Sequence, residues 1–103
     1  MILDPGFGFA KTTEQNYELL AGLHELCGTG YPVLAGVSRK SMIYKVLGVT
    51  PSEALNGTTA IHWECLRQGA VILRVHDVAQ AVETVRLFNF YRQHGNIQND
   101  RSR

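Results

Sequence analysis

The chain has 103 residues, of which 45% are apolar and 18% charged, and its formal net charge is +1. These values are typical of one small globular domain and give no overall field that favours nucleic acid or an anionic membrane. We expect no membrane-spanning segment and no signal peptide, and two cysteines are too few for a disulfide framework, which favours reduced thiols and a cytoplasmic location.

The first predicted unit is a strand over residues 1–4, a glycine-rich loop "PGFGFAKT" and a helix over about 13–27. Thr12 and Gln15 have the spacing of a capping box at the start of this helix, and Gly28 is a stop signal at its end. The loop is not a dinucleotide-binding fingerprint, because the pattern G-x-G-x-x-G is absent.

The second predicted unit begins with a strand over residues 32–37, with Pro32 at its first position. Helical segments follow at 41–47, from the "TPSE" start with Thr50 as N-cap and Glu53 at N3, and at 58–68, with an interruption at Asn56-Gly57. The unit therefore returns the chain to the start of another strand.

The third predicted unit is a strand over residues 70–75 and a helix that begins at Asp77. One face of this helix is apolar and consists of Val78, Ala81, Val82, Val85 and Phe88. From Gln93 onward the sequence is polar, so we predict a folded part over residues 1–92 and a C-terminal tail over 93–103.

Short, continuously apolar strands that alternate with helices predict an α/β fold with a parallel sheet. Three parallel strands leave two open edges, whereas a closed (β/α)8 barrel needs about 250 residues. We therefore expect three units of something larger, as a truncated chain or a partner-dependent piece. An autonomous three-stranded fold is the alternative.

Polar side chains follow all three predicted strands, at the carboxyl ends where parallel α/β folds place their chemistry. They are Asp4, the run Ser38, Arg39, Lys40 and Ser41, and the pair Arg74 and His76. Arg74 should be buried unless it faces a ligand or a carboxylate. Two helix starts lie nearby and attract anions through their free amides. We therefore predict a phosphate or pyrophosphate site that is reinforced by Arg39, Lys40, Arg74 and His76.

Structural explanations compete with this interpretation. Arg39 and Lys40 could form a solvated turn, Asp4 could start a turn before Pro5, and His76 could cap its helix. His62 and Cys65 have metal-like spacing without further ligands nearby, so we predict no metal site in this chain. Trp63 is expected to pack against other side chains rather than to serve as a stacking platform for a ligand.

The segments "ILDPGFGFAK", "GVSRKSM" and "LRVHDV" closely resemble the C-terminal part of the dihydropteroate synthase family, from Met1 to about Tyr91. The resemblance implies that the chain is the sixth, seventh and eighth βα units of a (β/α)8 barrel. The family condenses 6-hydroxymethyl-7,8-dihydropterin diphosphate with p-aminobenzoate, releases pyrophosphate in folate synthesis, uses Mg²⁺ and is usually a homodimer. The protein ligand of Mg²⁺ would lie outside this chain.

The resemblance also implies residue roles. Asp4 would bind the pterin, Phe9 would pack near the aminobenzoate, and Ser38 and Ser41 would lie near its carboxylate, the region that sulfonamide drugs mimic. Lys40 and Arg74 would be catalytic and contact the pterin and diphosphate, His76 would bind phosphate, and Gly36 would be substrate-binding. No protein nucleophile is implied, because loss of pyrophosphate leaves a pterin cation that the aromatic amine attacks.

Two other functions stay open from the sequence. The chain could be a non-catalytic fragment that binds an anion or associates with itself, or it could belong to another phosphate-binding barrel, such as a pterin methyltransferase. The "SRKS" and "RVHDV" segments favour the synthase over that relative. We expect the 103-residue chain alone to be inactive as a synthase, because it offers only three βα units.

Overall fold

A computed structural model describes residues 1–95 of the chain. Within this range helices alternate with short parallel strands, as the sequence predicts. The elements in chain order are α1 (Thr13–Ala21), α2 (Leu23–Cys27), β1 (Leu34–Ala35), α3 (Ser41–Leu47), a 3-10 turn (Pro51–Glu53), α4 (Leu55–Gln68), β2 (Ile72–Leu73) and α5 (Val78–His94). Most of the tail predicted from Gln93 onward lies outside the described residues.

The sheet is parallel and places β1 between two neighbours. Leu34 pairs with Ile72 and Ala35 with Leu73, while Leu3 forms an isolated parallel bridge to Val33. The Leu34 amide donates to the Leu3 carbonyl at 2.8 Å. The regular strands are shorter than predicted, because a ladder needs continuous partners and the first segment contributes a single bridge.

Two helix predictions were wrong. The helix predicted over 13–27 breaks into α1 and α2 at Gly22, whose amide donates to the Glu18 carbonyl at 3.1 Å. The expected interruption at Asn56-Gly57 is absent, since α4 runs through both residues. Gly57 serves packing instead: a β-carbon there would lie 2.6 Å from Cγ2 of Ile43 on α3.

Both predicted capping boxes are confirmed. The Thr12 hydroxyl accepts from the Gln15 amide at 3.1 Å, and the Gln15 side chain accepts from the Thr12 amide at 2.9 Å. Thr50 and Glu53 make the same reciprocal arrangement, although the segment that they start is a 3-10 turn rather than an α-helix. These caps fix where the chain turns from each strand-end loop into helix.

The core lies between the sheet and the helices and is built from apolar side chains of every unit. Its main buried members are Phe7, Leu20, Leu23, Val33, Ala35, Val37, Met42, Ile43, Ala54, Cys65 and Ala70. Trp63 packs edge-on against Phe88 with ring centroids 5.1 Å apart, which confirms its predicted packing role and joins α4 to α5. Among residues 1–95, no helix has the length and apolar character needed to cross a bilayer.

Candidate functional site

An open cleft of about 640 Å³ lies at the carboxyl ends of the parallel segments. It is lined by the glycine-rich loop, the segment after β1 and the end of β2, namely Asp4, Gly6, Phe7, Gly8, Phe9, Arg39, Lys40, Ser41, Tyr44, Pro51 and Arg74. A second groove runs along β2 and α5, but valines such as Val71, Val75 and Val82 dominate its lining. The first cleft is therefore better suited to a charged ligand.

The glycine-rich loop folds back onto α1 and forms one wall of the cleft. Phe7 is buried at 2% exposure, whereas Phe9 is 80% exposed. The Gly8 amide donates to the buried Asn16 side chain at 2.7 Å, and Lys11 Nζ donates to the Gly6 carbonyl at 3.0 Å. No role was predicted for Asn16 on α1 or for Lys11 in the loop before it, because a single polar residue in either setting gives no specific signal.

Lys40 crosses the cleft and is held against this loop. Its Nζ donates to the Phe7 carbonyl at 2.6 Å. A β-carbon on Gly8 would lie 3.1 Å from Lys40 Cδ, and Gly8 has a φ of +84°, so both space and backbone conformation favour glycine there. Burial lowers the pKa of Lys40; Asp4 opposes this effect, while the charges of Arg74 and Lys11 add to it.

Asp4 and Arg74 face each other across the cleft. Asp4 Oδ1 accepts from the Gly6 amide at 2.9 Å, and Oδ2 lies 3.6 Å from Arg74 Nη2. Arg74 therefore faces a carboxylate, and its side chain is 67% exposed. This agrees with the prediction that Arg74 would be buried unless it faced a ligand or a carboxylate. A β-carbon on Gly36 would lie 3.7 Å from Lys40 Nζ and 3.8 Å from Arg74 Nη1, so both cationic groups lie close to Gly36.

Ser38 and His76 form a separate pair. Ser38 is buried, and its Oγ lies 2.8 Å from His76 Nδ1 and accepts from the His76 amide at 3.3 Å. Neither residue belongs to the cleft lining, whereas Asp4, Phe9, Lys40, Ser41 and Arg74 do. The structure thus brings most of the predicted site residues together and leaves the hydroxyl of Ser38 committed to His76.

The guanidinium of Arg39 is engaged by other groups of the chain. Its Nε and Nη2 donate to the two carboxylate oxygens of Asp77, each at 2.9 Å, and its Nη1 donates to the Pro51 carbonyl at 2.7 Å. The role of Arg39 in a phosphate site stays a prediction, since these contacts engage its guanidinium while the residue still lines the cleft. The helix predicted to begin at Asp77 begins one residue later at Val78, with Asp77 as its N-cap residue, and the Asp77 carboxylate binds Arg39 instead of the first turn of α5.

The cysteines lie away from the cleft lining. Cys65 is buried, and burial is the main cause that raises the pKa of its thiol to about 12. Cys27 is half-buried, and burial raises its thiol pKa as well. Neither thiol is activated as a nucleophile. Among residues 1–95, no group of three or more His, Cys, Asp and Glu side chains is placed to hold a metal ion.

Parallel βα units with a cleft at their carboxyl ends are typical of part of a (β/α)8 barrel. The sequence profile of the family described as "Pterin binding enzyme" matches residues 1–76, and the chain belongs to this family. The expected fold, three βα units of such a barrel with parallel strands, is confirmed by the solved relatives below.

The named relatives are dihydropteroate synthases. The enzyme of Escherichia coli K12 is 51% identical over 87 residues, which cover 84% of this chain and 31% of that protein. The crystal structure of 7,8-dihydropteroate synthase from Vibrio fischeri matches with a TM-score of 0.86 at 46% identity, over 90% of this chain and 34% of its own. The structure of the Xanthomonas albilineans enzyme with 4-aminobenzoic acid matches with a TM-score of 0.85 at 43% identity, over 88% of this chain and 34% of its own. The chain thus spans about a third of these relatives.

Proposed function

We propose that the cleft binds the diphosphate and part of the pterin of 6-hydroxymethyl-7,8-dihydropterin diphosphate, as the corresponding portion of a dihydropteroate synthase in folate synthesis. The observation that carries the proposal is the placement of Lys40 and Arg74 close together beside Gly36, with the Asp4 carboxylate in the same cleft. Two cations suit a diphosphate, and an acceptor-only carboxylate suits the ring N–H and amino donors of a pterin.

The chemistry follows from the charges of these groups. The bond between the methylene carbon and the diphosphate oxygen breaks with its electron pair on pyrophosphate, and the amine of p-aminobenzoate forms the new C–N bond and then loses a proton. Cations beside the leaving group stabilise the charge that develops on it. Lys40 has one N–H committed to Phe7 and two left for a ligand. The planar Arg74 guanidinium suits phosphate oxygens and lies flat against aromatic rings.

The second substrate would be p-aminobenzoate, beside the exposed ring of Phe9 and the hydroxyl of Ser41, which line the same cleft. The Xanthomonas albilineans relative was solved with 4-aminobenzoic acid, which supports this assignment. Ser38 would act by orienting His76: because Ser38 contacts Nδ1, the Nε2 atom of the exposed ring is left to bind phosphate.

The proposal extends to the cofactor, the oligomeric state and the location of the whole enzyme. Residues 1–95 offer no group of three or more His, Cys, Asp or Glu side chains for Mg²⁺, so the ion would be bound by other parts of the enzyme and would supply further positive charge for the departing pyrophosphate. We propose a homodimer for the whole enzyme on the family resemblance, and a cytoplasmic location on the free thiols of Cys27 and Cys65.

The test is the affinity of the chain for inorganic pyrophosphate, measured by isothermal titration calorimetry. Lys40→Ala or Arg74→Ala should weaken binding about tenfold or more, since a charged hydrogen bond contributes about 1.5–3 kcal/mol. Lys45→Ala is the matched control, because Lys45 is an exposed lysine on α3 outside the cleft lining. Equal effects of Lys40→Ala and Lys45→Ala would remove the cleft from the proposal.

A turnover assay with both substrates addresses the alternative of a non-catalytic, self-associating fragment. Since the chain spans about a third of its relatives, we expect it to bind pyrophosphate without turnover when it is assayed alone. Turnover at the rate of a complete synthase would contradict this expectation. Sedimentation at micromolar concentration reports association, and a stable monomer would exclude self-association as the function.

A further inference from the structure

Arg39 has an unusual backbone conformation at the edge of the cleft. Its φ of 56° lies in the left-handed region, where residues other than glycine are uncommon and strained. Such a conformation persists only when surrounding contacts hold it. The Arg39 amide donates at 3.0 Å to the hydroxyl of Thr58, which is buried on α4, and this is the first of those contacts.

The side chain of Arg39 supplies the other contacts. Its bidentate pair with Asp77 and its hydrogen bond to the Pro51 carbonyl engage Nε, Nη1 and Nη2 together. The side chains of Arg39 and Asp77 are only 20% and 22% exposed. Arg39 is thus tied to three separate places in the fold: helix α4, the 3-10 turn and the start of α5.

The pair lies between residues of the proposed site along the chain. Lys40 directly follows Arg39, and His76 directly precedes Asp77. The hydrogen bond between Ser38 and His76 joins the same two segments one residue earlier on each side. The two contacts, each between residues 38 apart, therefore fix the segment after β1 against the segment after β2.

We infer that Arg39 and Asp77 form a positioning unit that holds Lys40 and His76 in register for an anionic ligand. This inference rests on the proposed function for its ligand, and it assigns a role to two residues that would not touch that ligand. Arg39 lines the cleft, so the rival interpretation is that it binds the anion itself once a ligand arrives.

The two interpretations predict opposite signs for Asp77→Asn. This change removes a negative charge and frees the Arg39 guanidinium, so direct binding by Arg39 and simple electrostatics both predict tighter binding of pyrophosphate. Positioning predicts weaker binding, by about tenfold, because a displaced Lys40 or His76 would lose a charged hydrogen bond to the ligand.

Glu64→Gln is the matched control for this experiment. Arg67 donates to both carboxylate oxygens of Glu64 at 2.8 Å, so the control removes a pair of the same type from the surface of α4, outside the cleft lining. Calorimetric titration of the 103-residue chain with pyrophosphate should show weaker affinity for Asp77→Asn alone, under conditions where urea unfolding shows that both variants are folded. Unchanged or tighter binding by Asp77→Asn overturns the inference.

Amide hydrogen exchange reads the positioning without any ligand. The Arg39 amide donates to Thr58 Oγ1, and the Lys40 amide donates to the Val37 carbonyl at 3.1 Å. Both amides should exchange faster in Asp77→Asn than in Glu64→Gln. If the wild-type chain does not bind pyrophosphate, the proposed function fails, and the exchange rates alone test the positioning role. Faster exchange in Asp77→Asn then supports the role of the Arg39–Asp77 pair in fixing these segments, and unchanged exchange overturns it.

Discussion

Phe7 and Phe9 test whether the glycine-rich loop contributes one aromatic side chain to the core and another to ligand binding. They are the same residue type two positions apart, yet Phe7 is 2% exposed within the core and Phe9 is 80% exposed at the cleft. The Phe7 carbonyl also accepts the hydrogen bond from Lys40. We predict that Phe7→Ala unfolds the chain readily, whereas Phe9→Ala alters ligand binding and leaves stability nearly unchanged.

The magnitude for Phe7→Ala follows from its burial. Full burial of a phenylalanine side chain contributes about 1.5–3 kcal/mol, and the cavity that truncation leaves raises the total cost to about 3–5 kcal/mol. Domains of this size have unfolding free energies of about 5–15 kcal/mol, so the substitution removes a large fraction of the total. For the exposed Phe9 we expect a change within about 0.5 kcal/mol.

Urea unfolding followed by far-UV circular dichroism and by Trp63 fluorescence measures both variants. The reasoning is refuted if Phe9→Ala lowers the unfolding free energy as much as Phe7→Ala does. A parallel titration with p-aminobenzoate should show loss of affinity for Phe9→Ala.

Further substitutions test packing and titration. Gly57→Ala should cost about 1–3 kcal/mol by overpacking against Ile43, which equals or exceeds the roughly 1 kcal/mol that alanine gains over glycine in a helix. A stabilised variant in urea unfolding would contradict the close contact. Burial lowers the pKa of His62 below its ordinary value of 6.5, and the charge of Asp77 opposes this effect. As the pH falls, the unfolded chain is therefore protonated at His62 before the folded chain is. The stability that neutral His62 contributes is full above pH 6.5 and is lost below it. His62→Leu should therefore flatten the fall in urea midpoint between pH 7.5 and 5, and an unchanged fall would exclude His62 as its source. Cys65 has the opposite sign, because its pKa is raised from 9.0 to about 12: its contribution is full below pH 9 and is lost above it, so Cys65→Ala should reduce the alkaline loss of stability, and an equal loss in both proteins would count against a buried thiol.

Local signals predicted the order of the elements well. The capping boxes at Thr12 and Thr50 depend on side chains three residues apart, and the structure contains both. The break of the first helix at Gly22 and the continuity of α4 through Gly57 were not predicted. At Gly57 the continuity goes with close packing of α4 against Ile43 and Leu47 of α3. A glycine in the sequence carries the same local signal whether it bends a helix or lets two helices approach closely.

The sequence predicted which residues line the site better than it predicted how they contact one another. Asp4, Lys40 and Arg74 were expected together because parallel strands end on one side of a sheet, and all three line the cleft. The partner of Arg39 was not predictable, since Asp77 lies 38 residues away and carried the stronger local signal of a helix N-cap. Lys11 and Asn16 were missed for a similar reason: their roles come from how the loop folds back on α1.

The contacts that shape the cleft connect residues far apart in the chain: Lys40 to Phe7 over 33 positions, and Ser38 to His76 and Arg39 to Asp77 over 38. Closing loops of this length has an entropic cost that must be met before the contacts return any free energy, whereas helical turns form from neighbours. During refolding the helices should therefore appear first and the cleft last. A time course of pyrophosphate binding would then lag behind the recovery of helical signal, and the lag would measure the docking of the final segment.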